Sequence, residues 1–211
     1  MITEEKLTTY LRNKYNPLAI IIHGSRASGK NRPHSDWDIV ILKKEDINTV
    51  QELIEDNALD IVAVNPGISN EALLSEFGNV FSSAKVLSDT DNIGKDLIER
   101  SRVLASKGYQ MSPQDYADKK MYLYRCVSRL MDFAKVDRIS FTYHLSSFIQ
   151  KSVNYWFQTR GRWSKSIYEA SYEIKKDDPG FYKEIEIITS NDSPADKVEA
   201  AKRVYSMLFK G

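Results

Sequence analysis

Pro33 stands between Gly29-Lys30 and the β-branched run Asp38-Ile-Val-Ile-Leu42, and it decides what the stretch HGSRASGKNRPHSDWDIVIL, residues 23–42, can fold into. Upstream, Leu18-Ala-Ile-Ile-Ile22 is a short apolar run ending at Gly24, the pattern of a buried strand that leads into a loop. The segment Gly24-Ser-Arg-Ala-Ser-Gly29-Lys30-Asn31 then falls one residue short of the phosphate-binding motif G-x-x-x-x-G-K-[ST]. Such a loop works only when it runs straight into a helix whose N-terminus faces the anion. Here Asn31 replaces the required hydroxyl residue, Pro33 falls in what would be the first turn or so, and a strand has begun by residue 38. The stretch therefore reads as strand, loop, strand.

That reading gives the acids of the second half a purpose. Asp36-Trp37-Asp38 opens the second strand, and the two-residue period of a strand points Asp36 and Asp38 to one side, about 7 Å apart at their Cα atoms. A third acid, Asp60, interrupts the apolar run Leu59-Asp-Ile-Val-Ala-Val64. Three strand-borne carboxylates on one sheet suit a pair of Mg²⁺ ions and phosphoryl-transfer chemistry, with the Gly24-Ser25 turn taking the phosphates.

Around this stretch, residues 2–15 carry an apolar stripe at helical spacing that Asn16-Pro17 ends. Residues 45–56 place Ile47, Val50, Leu53 and Ile54 on one helical face, which predicts a helix closed by Asn57. A strand at 59–64, a short helix at about 69–77 and a strand at about 80–87 follow, so the first 92 residues read as a compact α/β unit with a mixed sheet. Beyond residue 92 the texture turns helical: segments at 113–134, 139–158, 164–176, 179–189 and 194–209 predict a bundle, two of them opening on Ser112-Pro113 and Ser193-Pro194. The fold class expected is α+β, with domains at 1–92 and 93–211, the second for acceptor binding or dimerisation.

The 30 basic and 29 acidic residues leave a net charge of +1, so the whole chain is not drawn to nucleic acid or membrane. The even total hides an asymmetry: residues 1–92 carry 9 Lys/Arg against 14 Asp/Glu, and residues 93–211 carry 21 against 15. One cysteine, Cys126, excludes a disulfide framework. With no apolar run near the roughly 18 residues that span a bilayer and no leader pattern at the N-terminus, the expected location is the cytoplasm.

Some chemistry-bearing residues read as structural. His23 and His34 flank the loop without ligand spacing, and Lys30 and Arg32 suit either a triphosphate or plain solvent. The stretch Tyr155-Trp-Phe-Gln-Thr-Arg-Gly-Arg-Trp-Ser-Lys165 interleaves aromatics with cations as a base-stacking surface would, although Trp156 continues the stripe of Phe148, Ile149 and Ser152 and so belongs to the core. The cations at 160, 162 and 165 are left to meet an acceptor, or the acidic first unit of this chain or of a second subunit.

The residues Ile22-His23-Gly24-Ser25, ten intervening positions, Asp36-Trp37-Asp38-Ile39 and then Asp60-Ile61-Val62 resemble the nucleotidyltransferases related to DNA polymerase beta. The form of Gly24 to Gly29 is most similar to their small bacterial branch, the minimal and aminoglycoside nucleotidyltransferases. The likeness covers about residues 18–64, with Trp37 bulkier than the usual aliphatic residue. It implies that Gly24 and Ser25 bind the β/γ-phosphates and that Arg26 contacts triphosphate oxygens. It also implies that Asp36 and Asp38 hold two Mg²⁺ ions, with Mn²⁺ as a substitute, and that Asp60 binds the catalytic metal and accepts the proton of the attacking hydroxyl. The expected reaction moves a nucleoside monophosphate, AMP from ATP, to a hydroxyl on a small molecule, a protein or an RNA, with release of pyrophosphate. A homodimer is compatible with this reading. The alternative is an antitoxin-like partner of a separate helical toxin.

Overall fold

The structure, a computed structural model, describes residues 2–44 and 49–209. It divides into two compact units, Met1–Lys107 and Gly108–Gly211.

The first unit is built on a five-stranded mixed sheet. Its strands are β1 (Ala19–His23), β2 (Trp37–Leu42), β3 (Val50–Ile54), β4 (Asn57–Val64) and β5 (Lys85–Asp89), in the order β3-β4-β2-β1-β5. The β2–β4 pair is parallel and the others are antiparallel. Alternation along the strands makes two apolar faces. Ile20, Ile22, Trp37, Ile39, Ile41, Leu59 and Ile61 pack with Leu7 and Leu11 of α1 (Glu4–Tyr15). On the other face, Ala19, Ile21, Val40, Leu42 and Val64 pack with Leu73 and Phe77 of α3 (Asn70–Phe77) and with Leu97 and Ile98 of α4 (Ile93–Ala105). Between β1 and β2 lies only the single turn α2 (Gly24–Ala27). No helix follows Lys30, and β2 begins at Trp37, as Pro33 requires.

Two expectations are corrected and one helix is added. The helix expected over 45–56 is a strand where it can be described: β3 covers 50–54, while 45–48 lie outside the described residues. Glu55 and Asp56 both take positive φ, 46° and 62°, and form a two-residue hairpin turn from Ile54 to Asn57. Glu52 then faces α1, accepting hydrogen bonds from Tyr10 at 2.5 Å, from Lys14 at 2.6 Å and from Tyr15. Cross-strand pairing and this long-range anchor override the helical spacing. Next, the strand expected at 80–87 is a 3₁₀ turn over Val80–Ser83 followed by β5. Finally, α4 had no counterpart in the sequence reading. Asp89 at the end of β5 caps it, accepting from the Gly94 N–H at 2.8 Å and the Lys95 N–H at 3.1 Å. Arg100 bonds the Ile68 carbonyl, and Arg102 those of Phe81 and Ala84, so α4 packs within the first compact unit, which runs to Lys107.

The second unit is helical: α5 (Pro113–Phe133), α6 (Arg138–Gln158), α7 (Ile167–Asp177), α8 (Pro179–Thr189) and α9 (Pro194–Leu208). Each opens on a side-chain cap, from Ser112, Asp137, Ser166, Asp178 and Ser193 respectively, which satisfies amide groups the helix itself leaves open. Leu123, Leu130, Phe148, Trp156, Phe157, Phe181, Ile188 and Val204 are among the residues that form its core. No helix among the described residues is long and apolar enough to cross a membrane.

Candidate active site

The acids converge because the sheet puts two of them in register. Asp38, second in β2, lies directly beside Asp60, fourth in β4, across the parallel pair. Leu59 and Ile61 on either side of Asp60 belong to the α1 face, so alternation turns Asp60 to the opposite face; Trp37 and Ile39 do the same for Asp38. Asp36 lies just before β2 and joins them. One carboxylate oxygen from each of Asp36, Asp38 and Asp60 falls within 4.8 Å of the others. A divalent cation with ligand distances of about 2.0–2.6 Å spans such a separation. Asp36 is exposed, Asp38 and Asp60 half-buried.

The electrostatics match the geometry. Burial first, and then the negative charges of Asp36 and Asp60, push the Asp38 carboxyl from 3.8 up to about 6. Like charges gathered in a partly desolvated place are costly until a cation joins them. The donor set of three carboxylates suits a hard oxygen-seeking ion such as Mg²⁺.

Gly24 is indispensable to this arrangement on two counts. Its φ of +67° lies in the left-handed region that side chains rarely adopt. A Cβ on it would also stand 2.1 Å from Asp38 Oδ2. The Gly24-Ser25 backbone therefore abuts the Asp38 carboxylate. Ser25 follows in α2, whose carbonyls are held by Ser28 Oγ (3.0 Å to Gly24 O, 3.1 Å to Ser25 O) and by the Lys30 N–H (2.9 Å to Ser25 O).

Arg26 also sits here, but its guanidinium points along the loop: Nε donates to the Ser35 and Asp36 carbonyls at 3.1 and 2.9 Å, and a terminal nitrogen donates to Ser35 at 2.5 Å. His23, in register with Asp38, packs edge-on against Phe81, and burial lowers its pKa to about 4, so it is neutral. That role is structural, and His34 is exposed in the loop.

The aromatic-cation stretch of the second unit is not an open cationic surface. Arg160 pairs with Asp178 at 3.0 Å, Arg162 with Asp177 at 3.0 Å and with Glu173, and Lys165 with Glu173 at 2.5 Å. Trp156 and Phe157 are core residues over which the two guanidinium groups lie.

Residues 5–92 match the family model described as "Polymerase beta, Nucleotidyltransferase". No curated protein matches the chain. Among solved structures, the fold is similar to a nucleotidyltransferase-like protein from Exiguobacterium sibiricum, with a TM-score of 0.52, 11% identity, and 97% of this chain and 73% of that one covered. A toxin-antitoxin structure with AMP-PNP overlaps 50% of this chain and 86% of its own at 20% identity, but its TM-score of 0.34 is too low to carry an argument. Residues 5–92 are therefore a domain of the polymerase beta nucleotidyltransferase type.

Proposed function

We propose that the protein transfers a nucleoside monophosphate, AMP from MgATP, to a hydroxyl acceptor with release of pyrophosphate. The observation that carries this reading is the convergence of Asp36, Asp38 and Asp60 within 4.8 Å beside the left-handed Gly24. Bound Mg²⁺ supplies charge neutralisation of the attacking and leaving oxygens. Asp36 and Asp38 hold it at the end of β1 and the start of β2. Asp60 faces the same space from β4 and is the group placed to accept the proton of the attacking hydroxyl. The Gly24 and Ser25 backbone takes the terminal phosphates, which a residue with a Cβ at position 24 would block.

Incubation of the protein with each α-labelled nucleoside triphosphate, Mg²⁺ and host lysate tests the proposal. Label should appear on one class of molecule, ATP being the preferred donor, in step with pyrophosphate release. Label transfer that persists undiminished in chelator would overturn the metal assignment.

A further inference from the structure

Asp36 is held differently from its two partners. Asp38 and Asp60 are strand residues whose positions the β2–β4 ladder sets. Asp36 precedes β2, so no strand pairing holds it, and it is exposed at the end of a ten-residue loop. A metal ligand at such a place needs another restraint, because small displacements weaken coordination.

The Arg26 side chain meets that need. It reaches back across the loop to the carbonyls of Ser35 and of Asp36 itself, with three N–H···O contacts of 2.5 to 3.1 Å. Its guanidinium carbon lies over the Trp37 ring, 4.4 Å from the centroid. The loop is closed further by the Arg32 N–H on Ser35 Oγ at 2.9 Å and the Ser35 N–H on the Arg32 carbonyl at 3.0 Å. Trp37 is buried, packed with the α1 face, and its indole N–H is buried without a partner among the described residues. An aliphatic residue would fill the core without that orphaned donor, so the indole offers something else here, a flat face for the guanidinium.

We infer that Arg26 is the positioning residue for Asp36: through the Ser35 and Asp36 carbonyls and the Trp37 face it holds the loop end from which Asp36 reaches the cation, rather than binding the nucleotide's phosphates. This rests on the proposed metal site, and the test separates the two.

Mn²⁺ binding to the full-length protein without nucleotide is measured by calorimetry, with thermal midpoints taken in chelator. Asp36→Asn and Asp60→Asn must each weaken Mn²⁺ binding; if neither does, the metal reading fails and the clamp with it. Given that weakening, Arg26→Ala should reduce Mn²⁺ affinity by about 10- to 100-fold. Arg26→Lys should lose nearly as much, because a single ammonium cannot serve two carbonyls and stack on the indole. Trp37→Leu keeps the carbonyl bonds and should lose only a few-fold. Where Arg26→Ala lowers the midpoint in chelator substantially, Arg26→Lys decides. Wild-type Mn²⁺ affinity in a folded Arg26 variant, together with a raised KM for ATP, would overturn the inference and make Arg26 a phosphate ligand.

Discussion

The chain gathers charge in two places, and they are built in opposite ways. At the end of β1 and the start of β2, three carboxylates lie within 4.8 Å, and the charges acting on Asp38 are those of its fellow acids. Around residues 160–178, each of Arg160, Arg162 and Lys165 has an acid against it, and Asp178 also accepts the Trp156 indole N–H at 3.0 Å and caps α8 through the Phe181 N–H at 3.0 Å. Mutual saturation of this kind stabilises a fold. Like charges held together cost stability, and a folded chain keeps them where a cation or a reaction requires them.

The contrast can be broken at either end. Asp38→Ala or Asp60→Ala should lower the rate of pyrophosphate release by about 10³-fold or more and leave the fold intact, as circular dichroism would show; near wild-type turnover in either would remove the acids from the chemistry. Gly24→Ala should cost about 10²-fold in turnover through displacement of Asp38, together with about 1–3 kcal/mol of stability in urea unfolding from the forced φ. At the saturated end the expectation reverses. Asp178→Ala should cost about 2–4 kcal/mol of stability, since it removes a helix cap and orphans a buried indole N–H, with turnover per folded molecule unchanged; a selective loss of turnover would mean that this loop serves the reaction.

The smallest effect is one of pH. An unfolded aspartate releases its proton near 3.8, whereas native metal-free Asp38 holds it to about 6. The folded state thus binds more protons across that window, and the metal-free protein loses stability as pH rises through it. Asp38→Asn should flatten this dependence in thermal unfolding followed from pH 4 to 7. Wild-type Mg²⁺ affinity should in turn fall by up to about tenfold per pH unit below pH 6 as the proton competes with the ion. An unchanged affinity at pH 5 would mean that Asp38 is not a ligand.

Much of the site was legible because it depends on short-range rules. Strand alternation put Asp36 and Asp38 on one side, Asp60 broke an apolar run, and Pro33 excluded the rival loop. What the sequence concealed depended on distant partners. The apolar spacing of Val50, Leu53 and Ile54 suits a helix, but β3 needs only one inward face, and the residue that anchors it is the polar Glu52, whose three partners lie on α1. The turn at Glu55-Asp56 uses left-handed residues in place of the Asn-Gly that announces such hairpins. Helix α4 lacks a side-chain cap from its own Asn92 and is started by Asp89 from the preceding strand.

By itself the sequence determined the strand–loop–strand frame, the glycine at the end of its first strand and the acids that open its second, because these follow from backbone geometry over a few residues. Only the tertiary structure decided that Asp38 and Asp60 sit side by side across a parallel pair, that Arg26 turns to the Ser35 and Asp36 carbonyls and the Trp37 ring, and that the cations at 160, 162 and 165 are neutralised within their own unit. An isolated side chain carries its charge and its reach but not its partner, and the partner is fixed only when the chain folds back upon itself.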